Sequence, residues 1–119
     1  MILVDTSVWI DHFKRSNKKF SELLENEQVV CHPFVIGELA CGNLKKREEI
    51  LELLEALPKS MLAKQDEVLE LIKSGKLYGK GIGWIDAHLI TSAILENILI
   101  WTRDKRLKSI CESLKISYQ

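Results

Sequence analysis

Apolar positions along this chain of 119 residues fall into two patterns: short unbroken runs, and longer stretches repeating at helical spacing. Ile2-Leu3-Val4 is the first run and ends at Asp5, after which Thr6 and Ser7 offer capping hydroxyls to a helix carrying Val8, Trp9 and Ile10. The polar stretch Lys14 to Lys18 interrupts, and Phe20, Leu23 and Leu24 predict a second helix. Val29-Val30-Cys31 is the next run. His32-Pro33 follows with proline suited to a first helical turn, and Val35, Ile36, Leu39 and Ala40 form the apolar face of a helix containing Glu38. That helix is expected to stop at Gly42 in a left-handed end conformation. Ile50, Leu51, Leu54 and Leu57 then predict a helix ended by Pro58.

In the second half, Val68, Leu69, Leu71 and Ile72 predict a helix closing near Gly75, followed by a connection with glycines at 79, 81 and 83. A helix beginning about Trp84 presents Asp86 in its first turn, buries Ile85, Leu89, Ile90, Ala93 and Ile94, and breaks at Asn97. Ile98 to Trp101 is the best candidate for a central strand. Thr102 and Asp104 can cap a last helix with Leu107, Ile110, Cys111 and Leu114, and Ile116 to Tyr118 can add a short final strand. Strands that alternate with helices and are apolar throughout predict an α/β fold: a short parallel sheet flanked by helices on both faces, in one domain spanning 1–119.

Composition narrows this picture without redirecting it. The 17 basic and 17 acidic residues cancel, so a tail-driven or histone-like nucleic-acid binder is not expected, and any basic surface must be local. The first residues lack the charged start and apolar stretch of an export signal, and no apolar run approaches the roughly 18 residues of a membrane span, so a soluble cytoplasmic protein is expected. Cys31, Cys41 and Cys111 are odd in number and far apart, as buried reduced thiols would be. His12, His32 and His88 form no metal-binding spacing and are assigned surface or supporting roles.

The acids carry the chemistry. Ligands of open parallel sheets bind just beyond the carboxyl ends of the strands, where Asp5 and Asp104 both fall. Asp86, in the first turn of its helix, and Glu38, one to two turns into the helix after the second run, could converge on them. Clustered carboxylates repel one another unless a cation neutralises them, and their hard oxygens select Mg²⁺ or Mn²⁺. Such an ion supports hydrolysis of a phosphodiester. Taken singly, Asp104 reads equally as a helix cap, Asp86 as an acid beside a helix dipole and Glu38 as a solvent-facing helix former; Asp5 is the hardest to explain away. Lys14, Arg15, Lys18, Lys19, Lys80, Arg103, Lys105 and Arg106 flank the acids, and Arg103 and Lys105, adjacent to Asp104, are the first candidates for RNA phosphate contacts.

The segments LVDTSVWIDHF with Asp5, VIGELACG with Glu38, GIGWIDAHL with Asp86 and LIWTRDKRL with Asp104 resemble, in this order, the PIN-domain toxins of the VapC type. The resemblance covers nearly the whole chain. It implies a PIN fold and an Mg²⁺- or Mn²⁺-dependent endoribonuclease acting on structured cellular RNA, often transfer RNA. It further implies Asp5 and Asp86 as principal metal ligands, Glu38 and Asp104 completing the pocket, and Thr102 and Thr6 orienting ligands from behind. A VapB-like antitoxin and a homodimer are the partners it implies. Two alternatives stay open: a small metal-dependent phosphatase, which Asp5-Thr6-Ser7 disfavours because no second acid follows two residues on, and a catalytically inactive PIN-like binding module.

Overall fold

The three apolar runs become the strands of one parallel sheet in a computed structural model that describes all 119 residues. They are β1 (Ile2–Val4), β2 (Val29–Val30) and β3 (Leu99–Trp101), in the order β2-β1-β3. Seven helices connect and cover them: α1 (Thr6–Lys14), α2 (Lys18–Glu25), α3 (Pro33–Cys41), α4 (Arg47–Ala56), α5 (Gln65–Ser74), α6 (Trp84–Glu96) and α7 (Lys105–Ser113). Leu3 sits between Val30 and Ile100 in register, and Val4 pairs with Trp101. Successive strand residues point to opposite faces. Since Leu3 and Val4 are both 0% exposed, the sheet is covered on both faces, as a parallel sheet requires.

β1, not β3, is the central strand, which corrects the expectation for Ile98 to Trp101. Leu99 is 37% exposed, and the outer edge of β3 meets only a single bridge between Ile100 and Ser117. Ile100 donates its N–H to the Ile116 carbonyl at 2.7 Å and accepts from the Tyr118 N–H at 2.9 Å, so the expected final strand is reduced to that one bridge. Unbroken apolarity marks a buried strand but cannot rank one against another.

The helix ends follow local chemistry in most places. Asn17 and His32 accept the Phe20 and Phe34 N–H groups and cap α2 and α3, and Pro33 opens α3. Gly42 is extended (φ −85°, ψ 177°) rather than left-handed; left-handed ends occur instead at Asn97 (φ 56°), which stops α6, and just past α2, α5 and α7 at Glu27, Lys76 and Lys115. α6 buries every residue from 87 to 93, including His88, Thr91 and Ser92, which makes it the spine of the layer that carries Asp86. The core joins the sheet to α1, α2, α6 and α7, with Phe20 set edge-on between Trp9 (4.6 Å) and Trp101 (5.7 Å). No helix is long and apolar enough to cross a membrane.

The strand order positions the site. The chain leaves β1 for β2 on one side and returns to β3 on the other, so the connections after β1 and β3 diverge at their carboxyl ends. This reversal opens a crevice between them. Asp5 ends one strand and Thr102 to Asp104 follow the other.

Candidate functional site

Asp5 occupies the junction between β1 and α1. Its N–H still donates to the Trp101 carbonyl at 2.9 Å, continuing the β1–β3 ladder, and its backbone is the extended cap of α1. The side chain caps nothing. Instead Asp5 Oδ2 accepts from Thr102 Oγ1 at 2.7 Å and from Ser7 Oγ at 2.9 Å, while the residue is only 7% exposed. Hydroxyl bonds to an ionised carboxylate are stronger than neutral ones, and two of them clamp Asp5 in one orientation.

Each clamping hydroxyl is oriented in turn. Thr102 Oγ1 accepts the Asp104 N–H at 3.0 Å, and Ser7 Oγ accepts the Arg103 N–H at 3.0 Å. Both hydroxyl protons therefore face Asp5. The expectation that Thr6 and Ser7 cap α1 is corrected here: Thr6 Oγ1 donates to Glu38 Oε1 at 2.8 Å, joining α1 to α3. Ser7, expected only as a cap, serves Asp5 as Thr102 does. Its signal was the hydroxyl-rich segment directly after a strand-ending acid.

The other acids reach the crevice from helix starts and faces. Asp104 caps α7, accepting the Leu107 N–H at 2.9 Å. Asp86 lies in the first turn of α6 and its Oδ2 accepts the Gly83 N–H at 3.2 Å. Desolvation raises the Asp86 pKa above the ordinary carboxylate range; the bond from Gly83 opposes this, and the charges of Asp5, Asp104 and Glu38 add to it. All four expected acids are thus close enough for three of them to act electrostatically on the fourth. Glu38 is exposed on α3, at the open rim.

No group of three or more His, Cys, Asp or Glu side chains is arranged to hold a metal ion directly. The donor chemistry nevertheless fits a hard divalent cation. The set is all oxygen, the half-buried Asp86 bears uncompensated repulsion, and Mg²⁺ is commonly held by one or two carboxylates with waters completing its shell. The two deep histidines offer no competing charge. His32 is fully buried and pushed down to about 4 by burial and then by His88, and burial also lowers His88. Of the surface or supporting roles expected, the surface one is corrected for these two, because both are buried in an aromatic cluster with Phe34 and Trp84. Cys31 and Cys111 are buried free thiols as expected, whereas Cys41 is exposed.

Charge at the rim is distributed differently from the sequence expectation. Arg103 Nη1 lies 3.4 Å from Asp11 Oδ2, and Arg15 reaches the other oxygen of the same carboxylate at 3.5 Å. Asp11 is thereby half-buried and paired at the edge of the site rather than free in solvent. Lys105 makes no ion pair.

The likenesses to known proteins agree with this architecture. The chain is 46% identical over 112 residues to Ribonuclease VapC32 of Mycobacterium tuberculosis, in both strain CDC 1551 / Oshkosh and strain ATCC 25618 / H37Rv, which covers 93% of the chain and 90% of that protein. Among solved structures it resembles FitAcB from Neisseria gonorrhoeae (TM-score 0.61, 19% identity, 94% of each chain) and FitAB bound to an IR36 DNA fragment (TM-score 0.59, 19% identity, 94% and 91% of the two chains). These two share the fold. With the PIN domain family profile matching residues 2–113, the chain belongs to the PIN-domain family and is VapC-like.

Proposed function

We propose that this chain is a divalent-metal-dependent endoribonuclease, the toxin of a VapBC-type pair, that hydrolyses phosphodiester bonds in structured cellular RNA, transfer RNA among them. The observation that carries the reading is the Asp5 clamp. A nearly buried carboxylate receives two oriented hydroxyl protons at the mouth of a crevice whose other acids, Asp86, Asp104 and Glu38, come from three separate helices. Capping explains Asp104 but not Asp5, whose carboxylate bonds neither backbone nor cation.

Asp5 and Asp86 would hold Mg²⁺ or Mn²⁺, with Glu38 and Asp104 completing the acidic surround. When bound, the ion supplies Lewis acidity toward the phosphoryl group and toward water. The protein's own residues supply position. Thr102 and Ser7 spend their protons on Asp5 Oδ2, which leaves Oδ1 free of side-chain hydrogen bonds. Thr6 fixes Glu38 at the rim, and the Gly83 N–H fixes Asp86 Oδ2. The raised pKa of Asp86 makes it the acid that gains most from a cation nearby.

The 46% identity to a protein named a ribonuclease supports RNA over a small phosphate ester. So does Ser7, which stands where the phosphatase pattern needs a second acid and is occupied with Asp5. A VapB-like antitoxin is the regulating partner proposed, with an arginine of that protein able to fork onto the exposed acids.

Purified chain is expected to cut RNA internally with Mg²⁺ or Mn²⁺. Asp5→Ala and Asp86→Ala should each abolish cutting, a loss beyond the roughly 10–100-fold that removing an outer-shell partner costs, with unchanged circular dichroism. Full cutting in excess EDTA would falsify the metal mechanism. Hydrolysis of small phosphate esters without RNA cutting would favour the phosphatase, and neither activity would leave the inactive binding module.

A further inference from the structure

A cleft of ≈ 360 Å³ runs along α7, the helix that Asp104 caps, and is lined by Lys80, Lys105, Arg106, Ser109, Ile110 and Ser113. Three cations and no carboxylate face it. The ion pairs of the molecule are Arg15–Asp11, Lys59–Glu55 and Arg103–Asp11, so none of these three cations is neutralised. Two of them, Lys105 and Arg106, stand in the first turn of α7, where the helix dipole disfavours positive charge. Unpaired like charges gathered against a dipole lower stability, and an anion is what compensates them.

Arg106 is seated rather than waving in solvent. Gly81 has φ +80°, and a Cβ there would stand 2.6 Å from Arg106 Cδ and 2.8 Å from its Nη1. The glycine thus lets the arginine lie across the 79–83 connection and brings Lys80 to the same cleft. The same segments also carry two of the four acids, Asp86 and Asp104. Lys105 follows Asp104, and the connection that holds Lys80 ends in the Gly83 N–H that orients Asp86.

We propose that Lys80, Lys105 and Arg106 form a subsite for a backbone phosphate of the RNA, adjacent to the phosphate at the carboxylates. This rests on the ribonuclease reading. It assigns phosphate contact to Lys80, Lys105 and Arg106 and withdraws it from Arg103, which Asp11 already holds. The contacts are sequence-independent and set the register of the strand.

The test measures binding of a labelled unstructured RNA to the full chain by fluorescence anisotropy in EDTA, across a salt series, so that no cutting is involved. Lys80→Ala and Arg106→Ala are each expected to weaken binding about fivefold and to reduce the salt slope by about one. Lys64→Ala and Lys73→Ala, exposed around α5, serve as controls. Gly81→Ala, which removes no charge but displaces Arg106, should weaken binding as Arg106→Ala does. Under cutting conditions the cleft variants should raise KM and leave kcat unchanged. An unchanged salt slope, losses equal to the controls, or inorganic phosphate binding that saturates the cleft without displacing RNA would each overturn the subsite. Failure of the ribonuclease reading shows elsewhere, as persistent cutting by Asp5→Ala or no cutting by any form, and leaves the binding isotherms untouched.

Discussion

The carboxylate crevice and the basic cleft share two stretches of chain, 80–86 and 102–106, yet they are held by opposite means. Asp5 is nearly buried and gripped by hydroxyls that are themselves oriented by backbone N–H groups. Lys80, Lys105 and Arg106 are exposed, and only the Gly81 backbone constrains one of them. A reacting centre needs fixed geometry, and burial with hydrogen bonds supplies it. A phosphate contact needs charge more than angle, and long solvated side chains suffice. The chain has zero formal charge, so the contrast is one of placement.

The comparison breaks most visibly at Thr102. Thr102→Val keeps the shape but removes the shorter bond to Asp5 and leaves the Asp104 N–H without its acceptor. Cutting is expected to fall about 10–100-fold, as for other outer-shell partners. Folding should lose about 1–3 kcal/mol for the unsatisfied polar groups, read by urea denaturation. Thr102→Ser should restore most of both. Activity unchanged in Thr102→Val would mean that the clamp does not position Asp5.

Asp86 gives a smaller effect of opposite sign. Its folded pKa is raised, so its ionisation penalises the folded state: the penalty is absent below the ordinary carboxylate pKa, grows as pH rises through the raised value and is complete above it. Metal-free Asp86→Asn should therefore melt higher than the parent at pH 7, with the gap closing near about pH 3. Added Mg²⁺ should raise the Tm of the parent more than that of the variant. An equal offset at both pH values would assign the gain to packing and not to charge.

Arg103→Ala should do least. An exposed pair such as Arg103–Asp11 contributes about 0–1 kcal/mol, and the RNA salt slope should stay at the parent value because this cation is already engaged. A slope reduced as much as in Arg106→Ala would merge the two basic regions that the structure separates.

Much of the fold was legible because its signals are local. Apolar runs became β1, β2 and β3; Pro33, Asn97 and Asp104 mark helix ends at the expected places. Asp86 was readable as a first-turn acid from the glycine connection before it. The central position of β1 was not legible, because strand order depends on how the crossovers return and not on the composition of any one run. Nor was the fate of the cations: Arg103 and Lys105 are near neighbours in sequence, but one turns to Asp11 on α1 and the other to the cleft.

By itself, then, the sequence determined the elements and where on them the acids stand, Asp5 at a strand end, Asp86 and Asp104 at helix starts and Glu38 inside α3, since propensity, capping and apolar spacing act over a few residues. Only the tertiary structure decided that Ser7 and Thr102, 95 residues apart, share Asp5, that Thr6 holds Glu38 across 32 residues, and that three unpaired cations line one cleft with Arg106 lying over Gly81. Those pairings arise where the chain reverses direction around β1, a long-range event that no local spacing encodes.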